Sequence, residues 1–170
     1  MNIDFLKVEQ ETEHEFKSIA DKLLNDFAIQ NHESIYRLID IEFYWTSPKH
    51  KDDSTYERKH VEPKNGDWFF HYSGVDIALK NENIGGFGGI LIRGIYSLRE
   101  NRIYKGPMVC AMKLFSGTNA FSDSIKTKIV EYNFEKGQVK NSPRVGLGRN
   151  AVDSGTDKLN YRFTINPNDK

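Results

Sequence analysis

At 170 residues, with 38% hydrophobic and 12% aromatic content, the chain is long and apolar enough to enclose a core, which excludes bulk disorder and predicts one domain over 1–170 with a flexible N-terminus at 1–11. Twenty-four Lys and Arg balance 24 Asp and Glu, and a pI near 7.0 falls well short of the value above about 9 expected of a strong nucleic-acid binder. With no apolar run of about 18 residues, no hydrophobic signal core and one cysteine, Cys110, the sequence excludes a membrane span, an internal disulfide and a multi-cysteine zinc site; a cytoplasmic protein without membrane partner, metal or cofactor is expected.

The first element in the chain is a helix over residues 12–29. Phe16, Ile19, Ala20, Leu23, Leu24 and Phe27 form one apolar stripe, and Thr12 with Glu15 makes a capping box. A half-buried strand follows in RLIDIEFYW, residues 37–45, where alternation puts Glu42 and Tyr44 on one face with Asp40 just before them. Residues 46–67 are a polar loop holding His50 and His60, long enough without an element of its own to be functional. Strands are expected at 67–71 and 75–79, then a flexible four-glycine turn in KNENIGGFGG, then the apolar run ILIRGIYSL containing Arg93, the last two strands forming an antiparallel hairpin. A second helix starts at Pro107 and stops at Gly117. Residues 125–134, SPRVGLG and YRFTI are further strand candidates. This order is that of an α+β domain rather than alternating βαβ units. There is no repeat or coiled coil from which to read an oligomeric state.

Charge is unevenly placed: residues 1–100 carry 12 Lys and Arg against 18 Asp and Glu, and residues 101–170 carry 12 against 6. Such asymmetry is compatible with a basic face for a polyanion.

Glu42 beside Tyr44 is a carboxylate next to an aromatic ring, which can hold and attack a flat substrate; the same pattern describes an ordinary solvated face. Arg93, a charge inside an apolar run, needs a partner or a cavity, as a structural salt bridge or as part of a site. His50 and His60 show no metal-ligand spacing. The glycines at 85–89 lack the Lys-Ser/Thr of a phosphate loop, and no Ser-His-Asp arrangement can be argued from spacing.

Seven stretches in chain order, ADKLLNDFAI, LIDIEFYW, GDWFFHYSG, GGILIRGI, YKGPMVCAMKL, SPRVGLG and YRFTINP, resemble the alkyladenine (3-methyladenine) DNA glycosylases, the single-domain type without a helix-hairpin-helix. The resemblance is collinear from about residue 16 to residue 167. It implies a single compact domain around a curved antiparallel sheet with packed helices, and a monofunctional glycosylase releasing alkylated or deaminated purines from damaged DNA. By the same resemblance Glu42 deprotonates a water that attacks the sugar C1′, Arg93 orders the site beside that water, and Tyr44 stacks on the flipped base. The family's second stacking residue, a histidine, would fall near Asp53, leaving His50 or His60 to substitute. The family's intercalating tyrosine reads Ser73, with His71 or Tyr72 able to take over on a register shift, and Asp76 or Lys80 stands where the family has an asparagine. The residue at the hairpin tip separates duplex repair, which needs an aromatic there, from hydrolysis of single-stranded or free nucleosides; a rival reading is a non-catalytic domain whose Glu42 and Arg93 form a structural ion pair.

Overall fold

A computed structural model describes residues 3–55, 63–119, 121 and 126–167. Helix α1 (Glu13–Asp26) opens where expected, with Thr12 Oγ1 accepting the Glu15 N–H at 3.2 Å. The capping box is half realised. The Glu15 carboxylate accepts the N–H groups of Glu9, Gln10 and Glu11 at 2.8–2.9 Å, so it ties down the segment before the helix. That segment was expected to be flexible, yet it places Leu6 and Val8 in the core and Glu11 against the Trp45 indole N–H.

The helix ends three residues before the expected boundary. Phe27 continues the apolar stripe in sequence but is extended and begins β1 (Phe27–Asn31). The reason is tertiary. β1 lies between β2 (Ser34–Thr46) and β7 (Lys128–Glu131), so Ala28 and Ile29 find partners on both sides, which a last helical turn could not supply.

β3 (Trp68–His71), β4 (Gly74–Asn81), β5 (Gly86–Ser97), β6 (Arg102–Lys105), β8 (Lys140–Ser142) and β9 (Arg162–Thr164) complete a nine-stranded sheet among the described residues, ordered β3-β4-β5-β2-β1-β7, with β6 on β5 and β8-β9 on β2. All these pairings are antiparallel, and the sheet curls into a half-barrel against α1, α2 (Pro107–Leu114) and the short α3 (Arg149–Ser154), an α+β domain. Its spine is the long β2–β5 pairing, from Tyr36 opposite Ser97 to Thr46 opposite Phe87.

One face of β2 meets α1, where Phe16 stacks on Phe43 at 5.0 Å between ring centres. The other face, carrying Glu42 and Tyr44, could by sequence be a substrate-holding or a solvated one; it is buried as well. The cover is the stretch SPRVGLG. Of its residues only Ser142 belongs to a strand, and 143–148 cross over the sheet as a loop.

The glycine run also differs from expectation. Gly86, Gly88 and Gly89 lie in β5 rather than in a flexible turn, and the connection is a single helical turn at Glu82–Ile84. The glycines are there for close approach: a Cβ on Gly88 would fall 1.9 Å from the Tyr44 carbonyl oxygen, and one on Gly89 would fall 2.7 Å from Asp76 Oδ2. β6 and α3 had no sequence signal. β6 is short and mostly exposed, and α3 has one buried residue, Ala151, so neither shows a clear apolar period.

Candidate active site

A cleft of about 500 Å³ opens on the face of the sheet opposite α1. Tyr44, Leu91 and Arg93 contribute from the sheet, Phe69, His71, Tyr72 and Ser73 from the β3–β4 hairpin, and residues 145–148 with Arg149 and Asn150 from the covering loop and α3; Asp53 and Ser54 close the remaining side.

Glu42 lies beneath this cleft, 0% exposed. Its Oε1 accepts the Val145 backbone N–H at 2.9 Å, and its Oε2 accepts from Tyr44 Oη at 2.8 Å and Arg93 Nη1 at 3.2 Å. Arg93 Nη1 also reaches the Val145 carbonyl oxygen at 3.4 Å. Sequence reasoning placed Glu42, Tyr44 and Arg93 together, and the structure brings them together. Tyr44, Arg93 and Val145 line the cleft, whereas Glu42 is enclosed by them. Arg93 is aimed by an irregularity in the β2–β5 ladder: Asp40 pairs with Gly94 and Ile41 with Ile92, leaving Arg93 without an opposite residue. Asp40, just before Glu42 on the strand, is held bidentately by Arg162 at 2.9 and 2.7 Å.

Sequence reasoning did not single out Arg144. Its guanidinium is buried and grips the buried Asp52 carboxylate at 2.5 and 3.2 Å. It also donates to the carbonyls of Phe43 and Thr156, and lies 4.7 Å from the Tyr44 ring centre and 5.6 Å from that of Tyr161. One residue thus pins the covering loop to β2 and to the segment after β2, and covers part of the Tyr44 ring. The available signal was an arginine directly after Pro143 and two residues before Gly146, with Asp52 in the polar loop, a pairing no periodicity reveals.

The remaining expected site residues separate into two groups. His71, Tyr72 and Ser73 line the cleft, and the buried Asp76 stands behind them. His71 Nε2 lies 3.0 Å from Asp76 Oδ1, and His71 Nδ1 lies 2.8 Å from Ser73 Oγ. This is a Ser-His-Asp chain that sequence spacing did not disclose. It arises because Phe69 pairs with Asp76 across the hairpin, placing Asp76 on the diagonal from His71. Tyr72 shares the two-residue tip with Ser73 and is 77% exposed, so an aromatic does stand at the tip.

His50 does not line the cleft. It packs against Phe16 and Tyr161, with Nε2 3.3 Å from the Tyr161 hydroxyl. Lys80 pairs with Glu82 at 3.2 Å, outside the cleft lining, and His60 lies outside the described residues. Asp53 is in the cleft wall.

Burial holds the His50 imidazole below its ordinary value of 6.5, against the opposing pull of Asp52 and Glu11 and with help from Arg144. The unfolded chain therefore binds this proton more readily than the folded one. The stability contributed by neutral His50 is present above about pH 6.5 and is lost as pH falls below it. Denaturant titrations from pH 7.5 to pH 5 are expected to show a decline that is shallower in His50→Gln; an unchanged slope would contradict the assignment.

No protein-family model matches the sequence, and no curated protein matches it either.

Proposed function

We propose that the protein is an N-glycosidic hydrolase that releases damaged purines, alkylated or deaminated, from DNA, with Glu42 as general base. The observation that carries this is the convergence of the Glu42 carboxylate, the Arg93 guanidinium and the Val145 backbone directly beneath a cleft walled by Tyr44, Phe69, His71 and Tyr72. Cleavage of an N-glycosidic bond develops positive charge on the sugar, which a carboxylate stabilises while it activates water. Arg93 Nη1 is shared between two acceptors, Glu42 Oε2 and the Val145 carbonyl, the latter at a long 3.4 Å. A water entering at that long contact would accept from Arg93 and donate to Glu42, leaving a lone pair toward the cleft.

The cleft volume suits a single nucleobase, lying within the roughly 300–1,000 Å³ typical of small-molecule sites. Its aromatic walls suit a flat ring taken out of the stack. Tyr72 at the hairpin tip supplies the aromatic that Ser73 could not, which favours a duplex substrate over free nucleosides. The expected partner is damaged DNA in the cytoplasm. Among the described residues no helix is long and apolar enough to cross a membrane.

A second reading is favoured by one observation: Glu42 is enclosed and already accepts from three donors. Under it the Glu42–Arg93 pair is structural and the cleft binds nucleic acid without cleaving it. Incubation with oligonucleotides carrying hypoxanthine or 3-methyladenine, single- and double-stranded, with chromatography of the freed base, separates the two readings. Under either reading, a formal net charge of zero predicts weak binding to undamaged duplex that weakens further with salt. A salt-independent, nanomolar affinity in a fluorescence-anisotropy titration would contradict that expectation.

A further inference from the structure

We infer that Ser73, His71 and Asp76 form a proton relay to the departing base, so that the site acts on neutral purines and not only on those already positively charged. The inference rests on Glu42 as general base and adds the acid side of the same reaction.

The geometry is that of a relay with a fixed back end and a free front end. Asp76 is fully buried in β4, and the lack of a side chain at Gly89 makes room for its second oxygen. Its Oδ1 faces His71 Nε2 at 3.0 Å, and the His71 side chain is only 11% exposed. A buried carboxylate in that position fixes the ring orientation and accepts the Nε2–H. On the other side, His71 Nδ1 meets Ser73 Oγ at 2.8 Å. The Ser73 N–H lies 3.4 Å from the same nitrogen, which suits the neutral ring; in the protonated ring Nδ1–H donates to Oγ instead. The Ser73 hydroxyl hydrogen is then free to point into the cleft that Ser73 lines together with Arg93 and Val145.

A purine that leaves with the bonding electrons of its C1′–N bond departs as an anion unless a ring nitrogen is protonated. A 3- or 7-alkylated purine already carries a positive charge and leaves neutral. In the step inferred here the C1′–N bond breaks and its electron pair passes to the base. The Ser73 hydroxyl proton moves to a ring nitrogen of the base as the His71 Nδ1 proton moves to Ser73 Oγ. Water adds hydroxide to C1′ and gives its proton to Glu42. Exchange of one proton with solvent at each of Glu42 and His71 restores the starting state. Ser73 is the catalytic residue of this arm, and His71 and Asp76 position and charge it.

The test compares single-turnover release of hypoxanthine, a neutral base, with that of 7-methylguanine, a cationic one, from otherwise identical duplexes. In Ser73→Ala the ratio of hypoxanthine to 7-methylguanine release is expected to fall by about 10²-fold or more, the usual range for loss of a general acid. His71→Gln, which also removes a ring from the cleft wall, is expected to slow both substrates and to lower the same ratio, and Ser73→Thr, which keeps the hydroxyl, to restore it. Equal losses on both substrates, or no loss on either, overturn the relay while leaving the Glu42 reading intact. Release of neither base by the wild-type chain overturns both.

Discussion

Glu42→Gln is expected to abolish base release and, in addition, to lower stability by about 1–3 kcal/mol, the cost of leaving a buried polar group unsatisfied. The two side chains are nearly isosteric, and a solvated Glu42 on a half-buried strand would have tolerated the change without loss of stability. The buried site does not. The carboxylate accepts on both oxygens, from Val145 N–H on one and from Tyr44 Oη and Arg93 on the other. A glutamine amide has one oxygen. If its NH₂ faces Val145, that backbone N–H loses its acceptor; if it faces Arg93, two donors meet. For a chain of this size each kcal/mol lowers the melting temperature by about 2–4 °C, so a shift of a few degrees is expected beside a total loss of turnover. Full activity in a folded Glu42→Gln protein would exclude Glu42 as the base.

Arg144→Ala is expected to be the most destabilising single change in the site, costing about 3–5 kcal/mol, because it strands the buried Asp52 carboxylate. The same substitution removes one donor from each of the Phe43 and Thr156 carbonyls and takes the guanidinium from the Tyr44 and Tyr161 rings. A melting temperature about 6–20 °C lower follows from the same scaling. Activity is expected to fall even well below the melting point, since Val145 is the next residue and its backbone holds Glu42. Arg144→Lys keeps the charge but not the two-pronged grip on Asp52, so its stability should lie between the wild type and Arg144→Ala. A variant Arg144→Ala that melts within a degree or two of the wild type would show that the Asp52 pair contributes little.

The contrast between Glu42 and Arg144 shows how much of the site was legible in the sequence. Glu42 and Tyr44 are two apart on a strong strand, and period-2 alternation places them on one face without further information. Arg93 could be singled out because a charge in an apolar run needs a partner. Helices α1 and α2 were readable from the apolar stripe and from Pro107. What the sequence could not convey was what covers that face. The loop 143–148 has no period, and its anchor depends on an Arg–Asp contact spanning 92 positions along the chain. The Ser73–His71–Asp76 chain was hidden for a related reason: it depends on hairpin register, which pairs Phe69 with Asp76. The early end of α1 was hidden because an apolar Phe27 satisfies the helical stripe and the strand alternation equally well, and only the neighbouring strands decide between them.

The most direct test of the account is release of free hypoxanthine from a duplex oligonucleotide, followed by chromatography, for the wild-type protein and Glu42→Gln side by side. Stoichiometric appearance of free base and an abasic strand is expected with the wild type, and neither with Glu42→Gln although that protein remains folded. Equal release by both proteins, or none from any damaged purine by a folded wild-type chain, would contradict it.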